Sequence, residues 1–214
     1  MSAKKKPEEH AMDQKVFLET KLQPLLEECK EGKRDVLFVD ASHFVFGSFV
    51  CALWCITRKW VRAASGRQRH NVLGALHATT HELTTVINDT YVNAETVCEL
   101  LMKLRMQAAV GRLITVVLDN AKYQTCDLVV KCAAECAIDL CFLPSYSPNL
   151  NLIERYWKYT KKTCLYGKYY ATFKAFKAAI DTCIIESPVK DKEKLDSLLT
   201  LKFQSFKNAQ LFAD

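Results

Sequence analysis

Residues 35–44 read DVLFVDASHF, and the rest of the chain can be organised around that stretch. Val36, Leu37, Phe38 and Val39 form a short unbroken apolar run, the pattern of a strand buried on both faces at the centre of a sheet. Asp40 closes the run. Upstream, residues 14–31 place Val16, Phe17, Leu22, Leu25 and Leu26 near helical spacing, and Gly32 ends that helix. Residues 1–13 read as a polar, lysine-rich leader. Downstream, residues 48–56 and 71–76 are further strand candidates, joined by a basic stretch containing Gly66 in the manner of a hairpin connection. Residues 82–89 suit another strand.

The period then changes. Val97, Leu101, Leu104 and Ala108 share one helical face over residues 94–109, with Leu100 beside them. After Gly111, LITVVLDN is strongly β-prone and ends at Asp119 and Asn120. Residues 125–137 read as helix and 138–143 as strand. PSYSPNLN, residues 144–151, is a loop, and a further helix begins near Asn151. Adjacent strands followed by alternating helix and strand predict one α/β domain, a mixed sheet with helices packed on it.

Composition is compatible with that reading. The 214 residues are 50% hydrophobic and 25% charged, which supplies a sizeable core and excludes a largely disordered chain. Six glycines and five prolines are few for a turn-rich β-sandwich. The formal charge is +6, unevenly held. Arg58, Lys59, Arg62, Arg67 and Arg69 lie in one window without acids, and Arg155, Lys158, Lys161, Lys162, Lys168, Lys174 and Lys177 in another. These windows hold +12 and leave −6 to the remainder, a distribution suited to a polyanion. The N-terminus has no apolar signal region, and no stretch approaches the roughly 18 apolar residues of a membrane span. Ten cysteines without a CxxC pair read as small buried hydrophobes in a reducing cytoplasm rather than as a zinc site.

Three carboxylates stand where chemistry collects. Asp40 and Asp119 each close an apolar strand, and ligands of open α/β sheets gather at strand ends. Glu154 lies in the first turn of the helix after the proline loop. Each acid alone could cap a turn or complement a helix dipole. Together they offer the hard oxygen donors that Mg²⁺ prefers, and a pair of such ions roughly 4 Å apart can run phosphoryl transfer.

LDNAKYQ at 118–124 and LPSYSPNLNLIERYWKYTKK at 143–162 resemble the catalytic core of DDE transposases of the Tc/mariner superfamily, most of all the bacterial insertion sequence 630 group. VLFVDASHF and NVLGAL fit the same core, as do the 34 residues between Asp119 and Glu154. The resemblance implies an RNase H-like fold, a mixed five-stranded sheet flanked by helices, over residues 35–205. Residues 1–34 then form a leader and helix, and 206–214 a tail. It implies that Asp40, Asp119 and Glu154 are catalytic and hold two Mg²⁺ or Mn²⁺ ions. The implied reaction is cleavage at transposon ends and transfer of the freed 3′-hydroxyl to target DNA, usually at TA. The loop Pro144–Asn151 would present Glu154 to the other two acids. Arg58, Lys59, Arg67, Arg69, Lys158, Lys161 and Lys162 are the candidate DNA contacts. Tyr156 and Trp157 suit either base stacking or the core, with helical spacing favouring the core.

The chain departs from the family pattern at Gln124, where His is frequent, at Leu152, where Pro is usual, and at Asn149, where Asp is frequent. The family also carries about a hundred residues of helix-turn-helix DNA-binding region before its catalytic core. The expectation is therefore a catalytic half working on nucleoid DNA in a bacterial cytoplasm. An upstream helix-turn-helix polypeptide or frame would join it, with a homodimer as a further expectation. The alternative is a catalytically silent fragment, a relic or dimerising inhibitor.

Overall fold

A computed structural model describes residues 7–47 and 68–203. The strand candidate at 48–56 and the basic residues Arg58, Lys59, Arg62 and Arg67 lie outside them. Five strands make one sheet: β1 (Arg34–Val45), β2 (Arg69–His77), β3 (Leu83–Asn88), β4 (Leu113–Leu118) and β5 (Ile138–Phe142). Their spatial order is β3-β2-β1-β4-β5. β1–β2 and β2–β3 pair antiparallel, while β1–β4 and β4–β5 pair parallel. The sheet is mixed, with the strand around Phe38 at its centre, as its unbroken apolar run requires.

β1 runs well past that run. After Asp40 the pattern becomes alternating, with Ser42 and Phe44 buried and His43 and Val45 exposed. The antiparallel partner of β2 is thus β1 itself, with Asp40 opposite Gly74.

Helices cover both faces. α3 (Ala94–Gln107) and α4 (Asp127–Glu135) pack on the face carrying Leu37, Val39, Val116 and Leu118. The opposite face carries Val36, Phe38, Val72, Leu76 and Val117. Against it pack α1 (Pro7–Phe17) and α2 (Gln23–Lys30), which are joined through a π-helical turn at Leu18–Leu22. α5 (Ile153–Cys164), α6 (Phe173–Lys190) and α7 (Lys192–Leu198) cover the same face. The N-terminal helix starts at Pro7, earlier than the polar composition of residues 7–13 suggests. Its anchoring residues include polar Gln14, which no apolar period reveals.

α5 settles on the sheet at one glycine. A Cβ on Gly74 would stand 2.8 Å from Trp157 Cζ2 and 3.0 Å from Ile153 Cδ1. Tyr156 and Trp157 are core residues, and Trp157 meets Phe44 edge-on with ring centroids 6.2 Å apart. Because neither the indole nor the strand can retreat, Gly74→Ala is expected to lower stability by about 1–3 kcal/mol through overpacking. Urea denaturation measures this, and an unchanged midpoint would show that the helix has room to rise.

Candidate active site

Side chains alternate along a strand, so parity decides which acids can meet. Asp40 has the parity of Val36 and Phe38, and Asp119 that of Val117, so both belong to the face under α5. The parallel register ends at Phe38 opposite Val117, and two residues further along stand Asp40, still within β1, and Asp119, just past the end of β4. Glu154 occupies the first turn of α5, one turn before the Trp157 that rests on Gly74. Gly74 is in turn paired with Asp40. The contact that seats α5 therefore brings Glu154 to Asp40, which reads in the sequence as the end of a strand but lies within β1, because the strand continues to Val45 to pair with β2.

All three acids line one cleft of about 420 Å³, together with Asn120, Ala121, Asn151 and the loop 143–148. The loop is laced to the sheet at both ends. The Leu143 backbone N–H donates to Leu118 O at 2.8 Å, and Asn120 Nδ2 donates to Leu143 O. At the other end Asn151 Nδ2 donates to Val39 O, beside Asp40, at 3.1 Å. The Asn151 carbonyl accepts the Glu154 backbone N–H at 3.2 Å. One residue thus ties the strand bearing Asp40 to the helix turn bearing Glu154. Its spacing to Glu154 looks like a helix-start signal, but the side chain does not cap α5: Leu152 precedes the helix without a side-chain cap, and the Asn151 amide is used to reach Val39 instead.

The electrostatics register this convergence. The Asp40 pKa is pushed up to about 7, by burial first and then by the negative charge of Glu154. A hydrogen bond from the Ala41 backbone works against the rise, Asp119 adds to it, and the ammonium of Lys161 opposes it. Burial, with the charges of Asp119 and Asp40, lifts the Tyr123 phenol to about 12. Lys161 is held over the Phe44 ring, its Nζ 5.8 Å from the centroid.

Among the described residues, no three His, Cys, Asp or Glu side chains form a ready-made metal cage. The donor set nevertheless fits a hard divalent cation. It consists of carboxylates in an open cleft, suited to an ion that keeps several waters and takes one or two carboxylates. The mutual repulsion around Asp40 is the kind that a cation relieves.

Other acids and bases are spent elsewhere. Asp139 pairs with Arg34 at 2.5 Å, and Asp127 is exposed in the first turn of α4; neither lines the cleft. Arg155 donates to the carbonyls of Thr200 and Lys202 at 2.6 and 2.8 Å, and Lys177 pairs with Asp89. Lys158 and Lys162 are exposed on α5, and Arg69 is exposed at the start of β2. The eight cysteines among the described residues are free. No helix there is long and apolar enough to cross a membrane.

The sequence model of the DDE superfamily endonucleases matches residues 35–177, about two thirds of the chain. The chain belongs to that family. No curated protein matches it by sequence. Among solved structures, this DDE superfamily chain is similar to the Mos1 strand transfer complex, with a TM-score of 0.68, 14% identity and 93% of the chain covered. The Mos1 paired-end complex with left transposon end gives 0.67 and 12% over 94% of the chain. The catalytic domain of Mos1 mariner transposase gives 0.62 and 11% over 93%. At these identities the likeness is one of fold, and the fold is RNase H-like. This chain spans 60% and 61% of the two complexed proteins and 90% of the isolated catalytic domain.

The raised Asp40 pKa has a consequence for the metal-free protein. Between about pH 4, where an unfolded aspartate ionises, and pH 7, the folded state retains a proton that the unfolded chain has lost. Stability is therefore expected to fall across that interval and level off above it. Asp40→Asn should flatten the profile. Thermal melts in a chelator-containing pH series measure this, and a slope that survives the substitution would assign it to another group.

Proposed function

We propose that this chain is the catalytic domain of a DNA transposase. In this reading it cuts DNA at transposon ends and joins the freed 3′-hydroxyl to target DNA. The carrying observation is the cleft itself: Asp40 from within β1, Asp119 from just after β4 and Glu154 from the start of α5 line a single pocket, and the charges of Glu154 and Asp119 press on Asp40. The fold supports the reading, since the similar Mos1 structures include a strand transfer complex and a paired-end complex with a transposon end. The LDNAKYQ and SYSPNLNLIERYW motifs support a place in the Tc/mariner superfamily, near the insertion sequence 630 group.

In this reading Asp40, Asp119 and Glu154 hold two Mg²⁺ or Mn²⁺ ions; the Mos1 paired-end complex has been solved with each metal. When bound, such ions supply Lewis acidity at the scissile phosphate and lower the pKa of the attacking water. The chain's own contribution is placement. Asn151 holds Glu154 beside Asp40, and the cleft walls 143–148 limit the approach of the backbone. Lys161 brings a positive charge near enough to Asp40 to oppose its pKa rise, and exposed Lys158 and Lys162 extend that charge along α5 toward phosphates. Arg58, Lys59, Arg67 and Arg69 form the second candidate DNA contact. Residues 35–205 are the catalytic unit, with 1–34 and 206–214 flanking it. Recognition of terminal repeats belongs to helix-turn-helix domains supplied by an upstream polypeptide or frame. The chain works as a dimer on nucleoid DNA in a bacterial cytoplasm. No observation favours a silent fragment, because all three acids are present and face one cleft.

Two measurements test the reading. Glu154→Gln keeps the side-chain volume and removes a donor charge, so it should abolish Mg²⁺- or Mn²⁺-dependent nicking of supercoiled DNA while leaving the melting temperature near wild type. Retained nicking would reduce Glu154 to a helix-start acid. In mobility shifts the chain alone should bind duplex weakly, with steep salt dependence, because phosphate contacts carry affinity without sequence information. Discrimination of the element's ends from scrambled duplex beyond about tenfold, roughly 1.4 kcal/mol, would place a recognition element inside this chain.

A further inference from the structure

The loop 144–151 is tied at both ends, but its middle has no regular partner strand. That middle is held from the N-terminal helix. Gln14, on α1, is 2% exposed although it lies in a polar sequence. Its Nε2 donates to the Tyr146 carbonyl at 3.1 Å, and its Oε1 accepts from Asn149 Nδ2 at 3.1 Å. One turn earlier on the same helix, His10 meets the Tyr146 ring edge-on with centroids 5.5 Å apart. Tyr146 has φ +58°, a left-handed conformation that a tyrosine adopts only when its surroundings impose it. The residue is 84% exposed and lines the cleft beside the three acids.

Burying an amide is unfavourable unless its hydrogen bonds are made, and here both ends of the amide are satisfied by the one loop. We infer that Gln14 is a positioning residue for cleavage, holding the middle of the 144–151 loop so that the cleft rim and Glu154 keep the geometry the reaction needs. The inference rests on the reading of the cleft as a DNA-cleaving site. Asn149 donates an amide hydrogen to Gln14 Oε1, which an aspartate at 149 could not do.

The test compares the wild-type chain with Gln14→Met, which keeps the unbranched stem and removes the amide, with Asn149→Asp, and with the double variant. Nicking of supercoiled plasmid is followed against Mn²⁺ concentration, and hydrogen exchange of amides 145–150 is read on the metal-free proteins. Gln14→Met is expected to slow nicking by about tenfold or more through misplacement of the site. It should also raise the half-saturating Mn²⁺ concentration and speed exchange in the loop. Asn149→Asp should act in the same direction, and the double variant should be little worse than Gln14→Met, because both act through one linkage. A loss of folded protein alone would leave the half-saturating Mn²⁺ concentration where it was. Wild-type nicking together with unchanged metal dependence and unchanged loop exchange in Gln14→Met overturns the inference by itself. A wild-type chain that does not nick overturns the functional reading, and this inference with it.

Discussion

The approach of Trp157 to Gly74 is the contact on which the rest of the site depends. A helix can lie this close to a strand only where the strand offers no side chain, and residue 74 is where β2 does so. It is also the cross-strand partner of Asp40. Seating Trp157 there brings Glu154, one helical turn earlier, to the level of Asp40 in the central strand. The edge-on packing of Phe44 on Trp157 and the burial of Tyr156 lock the rotation of α5 about its axis.

The two ends of the sheet treat charge in opposite ways. At the start of β1 and β4, burial works to raise the pKa of Asp35, but hydrogen bonds from Arg112 and His77 outweigh it and hold the carboxyl below its ordinary value. Asp139 is paired with Arg34 nearby. At the other end Asp40 is pushed up to about 7 by burial, Glu154 and Asp119, with Lys161 as the cation that opposes them. One end is neutralised from within the protein; the other concentrates negative charge beside an open cleft. That asymmetry distinguishes the part of the sheet that carries the candidate site.

The basic residues divide in a similar way. In sequence, the window from Arg155 to Lys177 is a uniform block. In the fold, Arg155 ties α5 to the segment after α7, Lys177 neutralises Asp89, and Lys161 faces the acids. Lys158 and Lys162 remain on the exposed side of α5. A charge run is thus a poor guide to a binding surface until helix rotation separates structural cations from solvent-facing ones.

Local pattern was sufficient for the apolar half of the central strand, for the end of β4 before Asp119, for the helix α3, and for the break at 144–151, because apolar periodicity and proline content act over a few residues; it failed at Asp40, which reads as a strand end and lies inside β1. The length of β1 was not legible, because beyond Asp40 its burial alternates and the unbroken run ends. The start of α1 was hidden for a related reason: its key contact is made by a glutamine, which carries no hydrophobic period. Only the tertiary structure decided that Gly74 lies beneath Trp157, that Asn151 reaches Val39, and that Gln14 reaches Tyr146 and Asn149 across more than a hundred residues. Such contacts depend on sheet register and helix rotation, which arise from packing the whole core at once and leave no local trace in the chain.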